Sequence, residues 1–248
     1  MEAALQTGMA SALCRRSTHP GALAPLLYIA ANEGFAAIFN TNTNTNTNTS
    51  PKMAPEGGKM AVLGNIPFGI AIPDPGGVSV ILEMVLSVAA RSKVRRAAAA
   101  GEPIPAIWAT DADGHSTADA VKAMQGLMQA IGGTEGANLS LCLDLLAGGL
   151  SGASMLSEIP NANLTLGAKA NVVHKFVVID AARVVPPEVL LGGVADARQM
   201  VVASPAIDPA VPIRLPGAHA AAAFHKARAQ GFTLAPGLFE TLTKLAES

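Results

Sequence analysis

The sequence predicts an α/β fold, on three observations. Helical and extended hydrophobic periods alternate along the chain. The extended runs are short and are bounded by Gly and Pro, while several helical runs open on Pro or close on Gly. Such interleaving indicates an α/β or α+β layering of helices on a sheet and excludes a helical bundle or a sandwich.

The elements follow in order. Residues 25–32 read as a helix stopped by Gly34, and Gly34 to Phe39 as an apolar, strand-like run. Residues 68–72 and 78–82 are β-like, joined by the turn sequence Pro73-Asp74-Pro75-Gly76-Gly77. A helix over 87–100 is basic in its middle, at Arg91, Lys93, Arg95 and Arg96. Residues 118–131 read as a helix closed by Gly132-Gly133. The nearly all-apolar stretch 136–150 predicts a helix buried on most sides, in the core rather than at an interface. A strand over 175–180 precedes three helices, 186–202, 216–230 and 236–247, each opened by Pro. No repeat at a solenoid period occurs.

Composition excludes several functions. The 248 residues suffice for a core without staples. A net charge of −1 leaves no basic excess to neutralise phosphates, so nucleic acid is not an expected partner. Aromatic residues, at 4%, are too few for a base-stacking platform. The two cysteines, Cys14 and Cys142, cannot build a disulfide framework or a four-thiolate zinc site. Mean hydropathy of +0.37 raises the question of a membrane. Much of it is alanine, and Gly, Pro or charge interrupts every apolar stretch before the roughly 20 residues a span requires. Met1-Glu2-Ala3 lacks the start of a signal peptide. The expectation is a cytoplasmic globular protein. Residues 40–49 alternate Asn and Thr, which predicts a surface loop, or alternatively a polar ladder against a ligand. Asn48-Thr49-Ser50 fits a glycosylation sequon, which carries little weight without a secretory signal.

Common catalytic motifs are missing. There is no Walker A loop, no Gly-x-Gly-x-x-Gly between a strand and a helix, no His-Glu-x-x-His and no Gly-x-Ser-x-Gly. The five histidines do not pair with carboxylates or cysteines at metal-ligand spacing, so no metal site is expected. His19 is the most chemically promising residue. It lies in Arg15-Arg16-Ser17-Thr18-His19-Pro20-Gly21, a loop before a helix, from which an imidazole can exchange a proton near neutral pH. A plain surface histidine fits the same residues. Gly132-Gly133-Thr134-Glu135-Gly136 feeds a helix whose free N–H groups suit an anion. Glu135 favours a simple turn there, because its carboxylate itself satisfies the helix dipole. Trp108, the single tryptophan, reads as a core anchor or as a lid over a planar ligand.

Taken in order, these segments resemble the malate/L-lactate dehydrogenase family of non-Rossmann NAD(P)-dependent oxidoreductases, which includes ureidoglycolate dehydrogenase and the cyclic imine acid reductases. Ser17-Thr18-His19-Pro20-Gly21 resembles the family's Ser-Asn-His-Phe-Gly. Asn48-Thr49-Ser50-Pro51 through Pro55 resembles its Thr-Asn-x-Ser-Pro turn, and Leu63-Gly64-Asn65-Ile66-Pro67 its Leu-Gly-Thr-Asn-Pro. Leu82-Glu83-Met84 with Ala90-Arg91-Ser92-Lys93 resembles Asp-Met and Ala-Arg-Gly-Lys. Gly101-Glu102-Pro103-Ile104-Pro105, Trp108-Ala109, Asp111, Gly114, Leu145-Leu146-Ala147-Gly148 and Ile213-Arg214-Leu215-Pro216-Gly217 complete the series. Each match is weak alone, but they are collinear over almost the whole chain.

The resemblance implies a malate/L-lactate dehydrogenase-like fold, a mixed sheet with flanking helices, in three regions. These are a partial substrate and catalytic region (1–60), a cofactor-domain-like region (61–175), and a C-terminal strand and helices (176–248). It implies NAD or NADP as cofactor, a small 2-oxo/2-hydroxy acid or cyclic imine acid as substrate, and a homodimer with no membrane partner. His19 matches the catalytic histidine. Ser50, Glu83, Met84, Trp108, Gly133, Thr134 and Glu135 fall in the cofactor-contact stretches, and no metal is implied. Three departures stand out. Glu135 occupies the place of a lysine in the family's Gly-His-Lys-Gly, Glu83 that of an aspartate, and the Asn/Thr run lengthens the loop beside Ser50. The family's N-terminal helical domain, with a second active-site histidine and a substrate-binding arginine, has no counterpart in this sequence. The alternative expectation is therefore a divergent member that has lost nicotinamide catalysis and serves as a binding or structural protein or a non-redox enzyme.

Overall fold

A computed structural model describes residues 1–42, 53–74, 78–159, 169–234 and 236–247. Among these, five strands form one sheet: β1 (Met9–Ser17), β2 (Phe35–Thr41), β3 (Pro67–Ile72), β4 (Val80–Val85) and β5 (Val172–Asp180). Their order is β1-β5-β2-β3-β4. Helices flank the sheet as expected. All its described pairings are antiparallel. The helices are α1 (Glu2–Thr7), α2 (Ala24–Asn32), α3 (Arg91–Ala100), α4 (Ala120–Gln125) and α5 (Thr134–Asp144), then α6 (Ala181–Val184), α7 (Pro187–Val202), α8 (Ala218–Gln230) and α9 (Pro236–Ala246). No helix of the described residues is long and apolar enough to cross a membrane.

Two main cores result. The first lies under α2, where Leu23, Leu27, Ala30 and Ala31 meet Phe35, Ala37 and Phe39, the inward residues of β2. The second gathers Met53, Leu63, Ile66, Leu86, Val94, Ala109, Met128 and Leu143, with Met84 and Trp108 packed against it. It joins β4 to the segment around α3, α4 and α5.

Four expectations need correction. The helix over 118–131 is only α4. Asp119 starts it by accepting from Val121 N and Lys122 N, and Gly126 ends it. A Cβ on Gly126 would lie 2.0 Å from the Thr110 carbonyl oxygen, so the chain there runs extended against a neighbour. Met128 then bridges Ala109, and Ala130 bridges Ser87. That second bridge also holds Ser87 extended, so the helix expected over 87–100 begins at Arg91. The 136–150 stretch is α5 followed by a π-helical turn, Leu145–Gly149. It buries one face, with Ala137, Leu143 and Ala147, and exposes Leu139, Leu145, Leu146 and Leu150. Its apolar content overstated its burial because composition carries no orientation. The surface loop expected from residue 40 is also wrong at its start: Asn40, Thr41 and Asn42 are buried at the end of β2. Asn40 Nδ2 donates to Leu143 O, Asn42 Nδ2 to Ser154 O, and Asn42 Oδ1 accepts from Val173 N. Polar side chains can be buried where partners meet them in this way. The remainder of the run, the sequon and Ser50 lie outside the described residues.

Asp144, 1% exposed, closes α5 beside this network. Its Oδ2 accepts from Leu156 N at 2.8 Å, while no described residue donates to Oδ1. Burial pushes its carboxyl above the usual range, and the charge of Glu158 adds to this. The Leu156 N–H and the Asn42 side chain pull in the other direction. A raised folded-state pKa means this carboxyl favours the fold most below the unfolded value of about 3.9, and less as pH rises through the folded value. Asp144→Asn is expected to remove that loss. Urea midpoints measured over a pH series should fall with rising pH more steeply in the parent than in the variant. Parallel profiles would contradict this.

Candidate functional site

The site begins where β1 ends. Cys14 pairs with His174, but the next pairing is Ser17 with Val172, so a bulge separates them. Arg16 takes a φ of +58° within it, a region that non-glycine residues seldom occupy. The chain then turns through Thr18 to Gly21 into α2. The N-cap of α2, Leu23, has no side-chain oxygen to satisfy the free helix N–H groups. Glu83 supplies one from β4: its Oε1 accepts from Leu23 N at 2.7 Å and its Oε2 from Ala24 N at 3.0 Å. The carboxylate expected at the cofactor thus caps the helix that carries the His19 loop.

His19 is exposed on that loop. Gly21 N–H donates to its Nδ1 at 2.8 Å. Nδ1 is therefore an acceptor, and in the neutral ring the proton sits on Nε2, the nitrogen left to exchange it.

Behind the loop lies a histidine that motif reading passed over. His174 is 6% exposed on β5. Its Nδ1 is 2.8 Å from Thr41 Oγ1, and its Nε2 is 2.8 Å from Ser17 Oγ. Burial pushes it below the usual histidine range, and the charge of His19 does so further. A hydrogen bond with the Thr18 backbone opposes both.

The other expected residues gather around the second core. Met84 and Trp108 are half-buried against it, which favours the anchor reading of Trp108, and Lys93 Nζ lies 5.8 Å from the indole centroid. Ile131 N donates to Leu86 O, so the Gly132-Gly133 turn departs directly from the end of β4. Gly133 is the N-cap of α5, and Thr134 Oγ1 donates to Glu56 Oε2 at 2.9 Å. Glu135 is exposed in the first turn. A cavity of about 390 Å³ opens here, lined by Lys59, Ser116, Gln129 and Gly133 among others. Among the described residues, Gly133 is the one expected contact residue in its lining, and His19 does not border it.

The fold also brings together Asp111, Asp113 and His115, whose ligand atoms lie within 4.8 Å of one another. This corrects the expectation that no histidine meets carboxylates at such spacing. Asp111 Oδ1 accepts from Asp113 N and His115 N. The backbone bond from His115, above all, holds its carboxyl below the usual range. This arrangement describes a hydrogen-bonded turn.

The chain belongs to the malate/L-lactate dehydrogenase family, whose profile matches residues 1–243. Among its relatives, Delta(1)-pyrroline-2-carboxylate reductase 2 of Burkholderia multivorans is 34% identical over 197 residues, which cover 79% of this chain and 54% of that protein. The (2R)-3-sulfolactate dehydrogenase (NADP(+)) of Chromohalobacter salexigens is 32% identical over 179 residues, covering 72% and 52%. The solved sulfolactate dehydrogenase from Methanocaldococcus jannaschii superposes with a TM-score of 0.86 at 25% identity, covering 99% of this chain and 68% of that one. The chain therefore spans about half the length of these curated relatives.

Proposed function

We propose that the chain is an NAD(P)-dependent oxidoreductase acting on a small 2-oxo/2-hydroxy acid or a cyclic imine acid, in a cytoplasmic homodimer. The proposal takes over the three functional regions read from the sequence. The observation that carries it is the fixed ring of His19, with Nδ1 tied to Gly21 N–H and Nε2 left to deliver a proton. A carbonyl or imine that receives hydride must also receive a proton on oxygen or nitrogen; the His19 ring supplies it from Nε2 once solvent has protonated Nδ1 in place of the Gly21 bond, and is left as a neutral imidazole. The nicotinamide cofactor provides the hydride when bound. The residues present fit such a group. The first turn of α5 directs N–H groups toward its end, Lys59 adds a cation beside the carboxylates of Glu56 and Asp111, and Gly57, Gly58 and Gly133 bring backbone into the wall of the nearby cavity. Relatives named for pyrroline-2-carboxylate and sulfolactate motivate the choice of substrate. The test is NADH and NADPH oxidation with Delta(1)-pyrroline-2-carboxylate and with a 2-oxo acid. Turnover on either supports the proposal; no turnover on any combination contradicts it.

One observation favours the alternative, a family member without nicotinamide catalysis. Glu56, bonded to Thr134, and Glu135 set two carboxylates at the α5 N-terminus, where an anionic cofactor would compete with them. Glu135→Lys replaces repulsion by attraction. Solvent screening weakens the effect, so NADPH affinity is expected to rise by about tenfold. Unchanged affinity, measured by titration calorimetry, would remove Glu135 from the cofactor site.

A further inference from the structure

We infer that His174 is a positioning residue for His19, acting through Ser17 and Thr18. The inference rests on the proton-transfer role proposed for His19. An exposed side chain gains little from packing, so the His19 ring must be held by the chain on either side of it. On one side, Gly21 N–H binds Nδ1, and Glu83 pins Leu23 and Ala24. On the other side stand Ser17 and Thr18, and His174 meets both.

The construction is specific. β5 lies between β1 and β2, so a side chain on it can reach both neighbours. The His174 ring does so, with Thr41 Oγ1 on Nδ1 and Ser17 Oγ on Nε2, each at 2.8 Å. The bulge is what makes the second contact. It shifts Ser17 opposite Val172 and turns its hydroxyl onto the neighbouring His174, at the expense of a left-handed Arg16. Burial also favours the neutral form of the ring over the charged one, which suits a group that holds Ser17 and the Thr18 backbone beside His19.

The test reads the loop itself, in the ligand-free 248-residue chain. Nitrogen-15 NMR follows the Gly21 amide and the His19 ring nitrogens in Ser17→Ala, His174→Leu and His174→Gln. With the anchor lost, Ser17→Ala and His174→Leu should each speed Gly21 amide exchange by about tenfold and move the His19 ring signals toward a tautomer average. Gln offers both a donor and an acceptor, so His174→Gln should restore the parent signals in part. In a reductase assay the same two variants should lower kcat and leave KM for the cofactor unchanged. Unchanged Gly21 and His19 signals in Ser17→Ala overturn the inference, and that variant decides alone if His174→Leu does not fold. The NMR result stands even if the chain proves to have no reductase activity, so the two readings fail separately.

Discussion

His19→Ala is expected to lower the rate of reduction by about 10²–10⁴-fold. The substrate gains hydride on carbon and a proton on the neighbouring oxygen or nitrogen, and without a positioned donor water must supply that proton. The loss should fall on kcat, because His19 is exposed and is not among the described residues that line the cavity. Folding should be unaffected: the one described hydrogen bond to its side chain comes from Gly21 in the same loop. Steady-state kinetics with thermal unfolding of the same preparation check both halves. An unaffected rate with an unaffected fold would remove His19 from the mechanism.

Gly136→Ala is expected to have the largest effect on stability. A Cβ at Gly136 would lie 1.8 Å from the Ile131 carbonyl oxygen and 2.9 Å from its carbon. Both are backbone atoms, so no side chain can rotate away. Ile131 is itself tied to Leu86 O, at the end of β4, so the strain passes into the second core. Overpacking of this kind costs about 3 kcal/mol. In a chain of this size that lowers the melting temperature by roughly 6–12 °C. The displaced turn carries Gly133, so cofactor affinity should fall with stability. Calorimetry of parent and variant decides: an unchanged melting temperature would mean that the Gly132-Gly133 turn is looser than described.

The parts of the candidate site that are legible in the sequence have local signals. His19 and its loop, the turn before α5 and the order of strands and helices each occupy a few consecutive residues. What the sequence concealed depends on pairing across distance. Ser17 and His174 are 157 residues apart and meet only because β1 and β5 are neighbours. Glu83 reads as a cofactor contact from its motif alone, and nothing local reveals that β4 also sets its carboxylate against the start of α2, 60 residues earlier. The sequence predicts a helix over 118–131 because a lone glycine inside a helical pattern is often tolerated, whereas Gly126 presses against the Thr110 carbonyl and ends it. Asn40 and Asn42 read as solvent-facing because their partners, Leu143 and Ser154, lie more than 100 residues away.

The measurement that tests the account most directly is a titration of the 248-residue chain with NADH and, separately, NADPH. Trp108, the single tryptophan, serves as the fluorescent donor to the reduced nicotinamide. Saturable energy transfer from Trp108 is expected with at least one of the two. No transfer and no quenching with either, up to millimolar concentration, would contradict it.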